Sequence, residues 1–177
     1  MGRLREAAMQ LFLERGYEQT TVADIAEQAG VTSRTFFRYY ADKREVLFGG
    51  SEALQKAMVA AVAEAPAKAG PLDAIAAGLG AVADMIGGRR DFSQQRYAVI
   101  NANPALTERE LSKMASLAAA LGDALRARGV DEPIASLAAE TGIGVFRVAF
   151  EQWVCAPTAR PLGTVMKESL DQLRSLR

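Results

Sequence analysis

The sequence predicts an all-α protein of about nine helices, and three observations predict it. Apolar residues recur at spacings of three and four along most of the chain. No segment alternates apolar and polar residues over the length of a strand. Capping residues, glycines and prolines fall where helices start and stop.

The elements follow in order. Leu4, Ala7, Ala8, Leu11 and Phe12 form the stripe of a first helix, which Gly16 ends. Thr21-Val22-Ala23-Asp24 reads as a capping box opening a helix with Ile25, Ala26 and Ala29 on one face, and Gly30 stands at its left-handed terminus. Thr32 caps a short helix to about Tyr40, and Asp42-Lys43-Arg44-Glu45 is a further box opening a long helix to about Glu64. Pro71 suits a first helical position, and the stripe Leu72, Ile75, Leu79, Val82 and Ile86 runs to a Gly87-Gly88 stop. Asp91 begins a shorter helix that ends before Asn103-Pro104. Thr107-Glu108-Arg109-Glu110 is expected to cap the next, which carries Leu111, Met114, Leu117, Leu121 and Leu125 to Gly129. Pro133 opens a helix to about Val154, and Pro161 opens the last, with Leu162, Val165, Met166, Leu170 and Leu173. Composition changes near residues 48–50 from charged and aromatic to alanine-rich. That divides the chain into domains at 1–48 and 49–177.

Composition excludes several functions. The 177 residues carry 21 Lys+Arg and 21 Asp+Glu, so a basic nucleic-acid coat is ruled out while a local basic patch is not. No stretch reaches the length of a membrane span and no signal-peptide run opens the chain, so a cytoplasmic protein is expected. Histidine is absent, which removes Ser-His-Asp and Cys-His nucleophiles, HExxH zinc sites and an imidazole acid/base. Neither a metal nor another cofactor is expected. Cys155 has no charged neighbour and reads as a small buried hydrophobe. Gly78-Leu79-Gly80 and Gly142-Ile143-Gly144 mimic phosphate loops but lack a βαβ setting, and read as close-packing glycines inside helices.

Residues 21–40 have the layout of a helix-turn-helix, whose second helix enters the major groove of DNA. Phe36 and Tyr40 share its inward face. Ser33, Arg34, Thr35 and Phe37 lie towards its exposed start, with Arg38 and Tyr39 to the side. From Thr32 to Arg44 stand four cations, Arg34, Arg38, Lys43 and Arg44, against the single anion Asp42. Lys43 and Arg44 also open the next helix, whose free N–H groups favour a phosphate. Leu11-Phe12, Gly16-Tyr17, Thr20-Thr21-Val22, Ile25-Ala26, Ala29-Gly30-Val31, Phe36-Phe37-Arg38-Tyr39-Tyr40, Lys43 and Leu47 together resemble the DNA-binding domain of the tetracycline-repressor (TetR) family. Phe37, Tyr40 and Ala41 depart from the usual pattern of tyrosine, phenylalanine and proline.

The resemblance implies a homodimeric transcriptional regulator, usually a repressor, that binds a palindromic double-stranded DNA operator and is released by a small organic effector. By matching positions, Thr21, Arg38, Tyr39 and Lys43 would contact phosphates, and Ser33, Arg34, Thr35 and Phe37 would approach base edges. That division suits the chemistry, since cations and hydroxyls hold phosphates while Arg34 could fork onto a guanine.

The helix from Pro133 has two apolar stripes: Ile134, Leu137, Ala138, Val145, Val148 and Ala149, and Ile143, Phe146, Phe150 and Trp153. It is therefore buried on two sides, either within the core or between core and partner subunit. The family resemblance favours a dimer seam with Phe150, Trp153, Val165 and Leu173. Met58, Met85, Tyr97, Asn101, Met114 and Phe146 are candidates to line an effector pocket, with Tyr97 or Asn101 supplying polar contacts to a mainly apolar molecule. Arg147 either pairs with Glu151 one turn on or meets an anionic ligand. The competing readings are a helical dimeric interaction protein without DNA binding and an all-α enzyme using paired carboxylates.

Overall fold

The computed structural model describes residues 2–176, which contain ten α-helices and no strand. They are α1 (Gly2–Arg15), α2 (Val22–Gln28), α3 (Ser33–Phe37), α4 (Glu45–Phe48), α5 (Ser51–Glu64) and α6 (Pro71–Ile86). A 3-10 turn (Gly87–Arg89) leads to α7 (Arg90–Asn101), α8 (Pro104–Ala127), α9 (Ile134–Cys155) and α10 (Leu162–Ser175). None of these helices is long and apolar enough to cross a membrane.

Local chemistry accounts for most boundaries. Gly16, Gly30 and Gly129 adopt φ of 84°, 68° and 87°, which other residues reach only with strain. Thr21 and Asp24 form a reciprocal capping box on α2, and the Thr32 hydroxyl accepts from the Thr35 amide to cap α3.

Four expectations are corrected. The helix expected from Asp42 to about Glu64 is two, because Gly49-Gly50 weakens the middle and the Ser51 hydroxyl donates to the Phe48 carbonyl at 2.7 Å. Thr107 does not cap α8, which starts at Pro104, a residue whose fixed φ suits a first turn. The Thr107 hydroxyl instead donates back to the Ile100 carbonyl at 3.0 Å. α3 stops at Phe37, where the amides of Tyr39 and Tyr40 both turn onto the Phe36 carbonyl. Cys155 is exposed, as the last residue of α9.

The chain forms two compact units. The first joins the residues up to Ser51 with Asp91–Glu110, so α7 and the opening turns of α8 share a unit with α1–α4. Its core is Leu4, Ala8, Leu11 and Phe12 of α1, with Ile25, Phe36, Val46–Phe48, Val99, Ile100 and Leu106. Burial of this apolar surface holds the short helices α2–α4, none of which is long enough to persist alone.

The second unit holds Glu52–Arg90 and the chain from Leu111 onward, with α6, α9 and α10 packed on one another. Gly78 and Gly142 are close-packing glycines: a Cβ at Gly142 would lie 2.6 Å from Ile75 Cγ2, and one at Gly78 would lie 3.0 Å from Met58 Cγ. Gly80 and Gly144 have no such neighbour. Trp153 is 1% exposed and Val165 is buried, so the seam expected of them is core instead, with Phe150 and Leu173 half-buried. The Trp153 indole N–H is satisfied by the Arg160 carbonyl at 2.9 Å. The apolar residues that α9 leaves exposed are Ile134, Leu137 and Val148.

Candidate nucleic-acid interface

The start of α2, the whole of α3 and the turn into α4 carry the residues expected to meet DNA. Each is positioned by a local device. Thr21 is exposed at the α2 N-cap, where its amide and hydroxyl donate to Asp24 Oδ2 at 2.8 and 2.6 Å. Those bonds, the hydroxyl's first, hold the Asp24 carboxyl below its ordinary range. Fully buried Phe36 pins α3 to the core and stands edge-on to Phe37 at 5.6 Å. The Tyr40 ring, 5.5 Å from Phe36, seals the far side.

With Phe36 inward, Phe37 and Tyr39 are forced out, at 57% and 44% exposure. Exposed aromatics of this size are costly to leave in water and are suited to thymine methyl groups and sugar faces. Arg34 is exposed and its guanidinium has no hydrogen-bond or ion-pair partner among the described residues, so its donor fork is available. Thr35 is half-buried, its hydroxyl 3.2 Å from that of Thr32, and Ser33 is half-buried at the first helical position. Arg38 lies across the Tyr39 ring at 4.9 Å and donates to the Tyr39 hydroxyl at 3.2 Å. One edge therefore presents both a cation and a phenol.

The basic strip is narrower than the sequence suggested. Arg44 donates through Nε and Nη2 to Asp42 Oδ2 at 3.0 and 2.7 Å. Asp42 Oδ1 accepts the amides of Arg44 and Glu45, so two of the N–H groups expected to attract a phosphate at α4 are occupied. The Arg44 guanidinium is the main reason the Asp42 carboxyl is held low. The Lys43 ammonium, a candidate phosphate contact, donates to the carbonyls of Tyr17, Thr20 and Glu18 at 2.8, 3.0 and 3.3 Å, which uses all three N–H groups. Arg34 and Arg38 remain as the outward cations of α3.

Several residues shape this unit in ways the sequence does not state, Tyr17 and Thr20 having entered only through the family resemblance. Thr20 is buried, its hydroxyl donating to the Gly16 carbonyl at 2.8 Å, and Tyr17 is buried beside it. Burial, then the Asp42 charge, pushes the Tyr17 phenol up to about 12. Arg96 donates to the Leu47 carbonyl at 2.8 Å and to Glu110 at 2.9 Å, and Arg109 pairs with Glu45 at 2.8 Å. These bonds tie α4 to α7 and α8. Only their side-chain types could have flagged them, since their partners lie 14 to 64 residues away.

The candidate effector residues fall in both units. Tyr97 and Asn101 belong to the first unit; Met58, Met85, Met114 and Phe146 belong to the second. Met58 is 0% exposed and packs at Gly78, Phe146 stacks on Phe150 at 5.8 Å, and Met85 faces solvent. A surface groove of about 600 Å³ in the second unit is lined by none of the six; Pro71, Leu72, Ile134, Leu137 and the Asp73–Arg174 ion pair border it. Arg147 is exposed and does not form the pair expected with Glu151.

Comparison with known proteins matches this geometry. HTH-type transcriptional regulator TcmR of Streptomyces glaucescens is 44% identical over 80 residues, covering 45% of this chain and 35% of that protein. The chain thus spans about a third of the length of that relative. Among solved structures, FadR of Thermus thermophilus, a repressor in complex with lauroyl-CoA, aligns at a TM-score of 0.61 and 23% identity over 99% of this chain and 95% of its own. FadR of Bacillus subtilis in complex with stearoyl-CoA aligns at 0.67 and 20% identity over 98% and 97%. At such identities these two show the fold alone. Residues 4–49 match the family model of bacterial regulatory proteins of the tetR family, and residues 69–176 match the MftR C-terminal domain. The two matches take in both the helix-turn-helix and most of the second unit, and the chain belongs to the TetR family of bacterial transcriptional regulators.

Proposed function

We propose that this protein is a repressor that binds a palindromic operator as a homodimer and leaves it when a small organic effector binds. The carrying observation is the outward face of α3, where Arg34 and Phe37 stand exposed beside Arg38 and Tyr39 on a helix fixed by buried Phe36. Arg34, Phe37, Ser33 and Thr35 read base edges, while Arg38, Tyr39 and Thr21 hold phosphates. Self-association is supported by the exposed apolar residues Ile134, Leu137 and Val148 along α9, which a second copy would cover. The two acyl-CoA complexes among similar folds support an effector with a long apolar part, bound by the segment at 69–176. The protein acts in the cytoplasm, where its duplex is.

Selection of bound fragments from random duplex DNA tests this reading. The expected product is a two-fold symmetric motif with half-sites about one helical turn apart. A pool with no enriched motif would refute it.

A further inference from the structure

We infer that Lys43 is a positioning residue for DNA docking: its ammonium clamps the turn between α1 and α2 and so sets the place of Thr21. The inference rests on the DNA-binding reading but concerns a contact internal to the chain. The turn from Gly16 to Thr20 is neither helix nor strand, so its carbonyls have no ladder to join. Thr20 supplies two bonds, from its hydroxyl to the Gly16 carbonyl and from its amide to the Tyr17 carbonyl at 3.3 Å. Lys43 supplies three more, to the carbonyls of Tyr17, Glu18 and Thr20, from 23 to 26 residues away. Its Nζ also stands 4.3 Å from the centre of the buried Tyr17 ring, which favours a cation there.

Three convergent carbonyls and an aromatic face make a complete shell for an ammonium. A phosphate could take the ammonium only by displacing a carbonyl, and each displaced carbonyl would loosen the turn. The residue that follows the last clamped carbonyl is Thr21, whose hydroxyl both caps α2 and stands among the phosphate contacts. Lys43 thus acts through the backbone on the α2 N-terminus. Arg44, its neighbour, is held aside by Asp42.

The test compares wild type, Lys43→Met and Lys43→Arg in the full chain. Amide hydrogen exchange is read without DNA, and duplex affinity is read across a salt series. In Lys43→Met, which keeps the stem and loses the donors, exchange at Thr20, Thr21 and Asp24 should quicken by about tenfold or more. Affinity for every duplex should fall roughly tenfold while the salt slope stays that of wild type. A slope reduced by about one, with exchange unchanged, would make Lys43 a phosphate ligand and overturn the proposal. Lys43→Arg covers the case in which Lys43→Met does not fold. It keeps the charge, but its planar fork cannot aim at three converging carbonyls, so binding should weaken about threefold or more. Full wild-type affinity in Lys43→Arg would likewise overturn the clamp. If wild type itself binds no duplex, the DNA-binding reading and the docking role fall together, while unchanged exchange in a DNA-binding wild type's Lys43→Met variant sinks the clamp alone.

Discussion

Substituting Gly142 by alanine puts the packing of the second unit to a quantitative test. The new Cβ would lie 2.6 Å from Ile75 Cγ2, against the roughly 3.5–4.0 Å at which carbon atoms attract. Ile75 is fully buried and β-branched, so that methyl is fixed by one helical rotamer and moves only with α6. Overpacking of this kind costs about 1–3 kcal/mol. Alanine in a helix interior recovers about 1 kcal/mol over glycine, which leaves Gly142→Ala destabilised by roughly 0–2 kcal/mol. Gly80→Ala, in the middle of α6, gives the same propensity gain with no atom within 4 Å of the new Cβ. The difference between the two variants cancels propensity and isolates a packing cost of about 1–3 kcal/mol. For a chain of this size each kcal/mol moves Tm by about 2–4 °C, a separation that thermal melts by far-UV circular dichroism resolve. Ile75→Ala placed in the Gly142→Ala background should cost less than the sum of the single changes, since it removes the clashing methyl. A Gly142→Ala variant that melts at or above Gly80→Ala would refute the close crossing of α6 and α9.

Arg34→Ala should relax sequence preference at one position in each half-site by roughly 1–3 kcal/mol, read from affinities for single-base operator variants; equal loss on every duplex would make Arg34 a phosphate contact. Leu137 is 64% exposed, so Leu137→Glu should leave the chain folded but turn a sedimenting dimer into a monomer, because a seam does not tolerate an unpaired charge; a wild-type monomer at micromolar concentration would refute the seam. Asp24 and Asp42 have carboxyls held low in the folded state, Asp24 by Thr21 and Asp42 by Arg44. Their stabilisation is present above the unfolded value of about 3.9 and is lost as pH falls through the lower folded values. An Asp24→Asn, Asp42→Asn double variant should therefore lose stability less steeply than wild type below about pH 4, and an unaltered acid transition in urea melts would contradict both caps.

Local signals in the chain were legible because local physics sets them. Thr21 and Thr32 cap the helices that their hydroxyls identify, and the three positive-φ glycines stand where a helix had to turn back. Where two local signals competed, spacing alone did not choose. Pro104 and Thr107 both mark a helix start, and proline's fixed φ prevailed because a threonine inside a helix can spend its hydroxyl on an earlier carbonyl. What stayed illegible depends on partners distant in sequence. Nothing near Lys43 says that its donors belong to a turn 23 to 26 residues earlier, and a cation beside Arg44 reads as part of a surface strip.

α9 shows the same limit in apolar form. Its two stripes announce that both sides are covered, but hydrophobic burial is non-directional and does not say by what. The structure separates the covers. Ala138, Gly142, Val145, Ala149 and Trp153 are buried within the second unit, where Gly142 admits Ile75 and the Trp153 indole finds its acceptor at Arg160. Ile134, Leu137 and Val148 are left in water, although by residue type they match the buried set. Gly142 permits a close crossing against Ile75 of α6, while Ile134, Leu137 and Val148 stay exposed, the first two at the rim of the groove beside Pro71 and Leu72. A helix that meets one neighbour closely and leaves large apolar groups in water has a face open to a second contact, which is where the dimer proposed above would form.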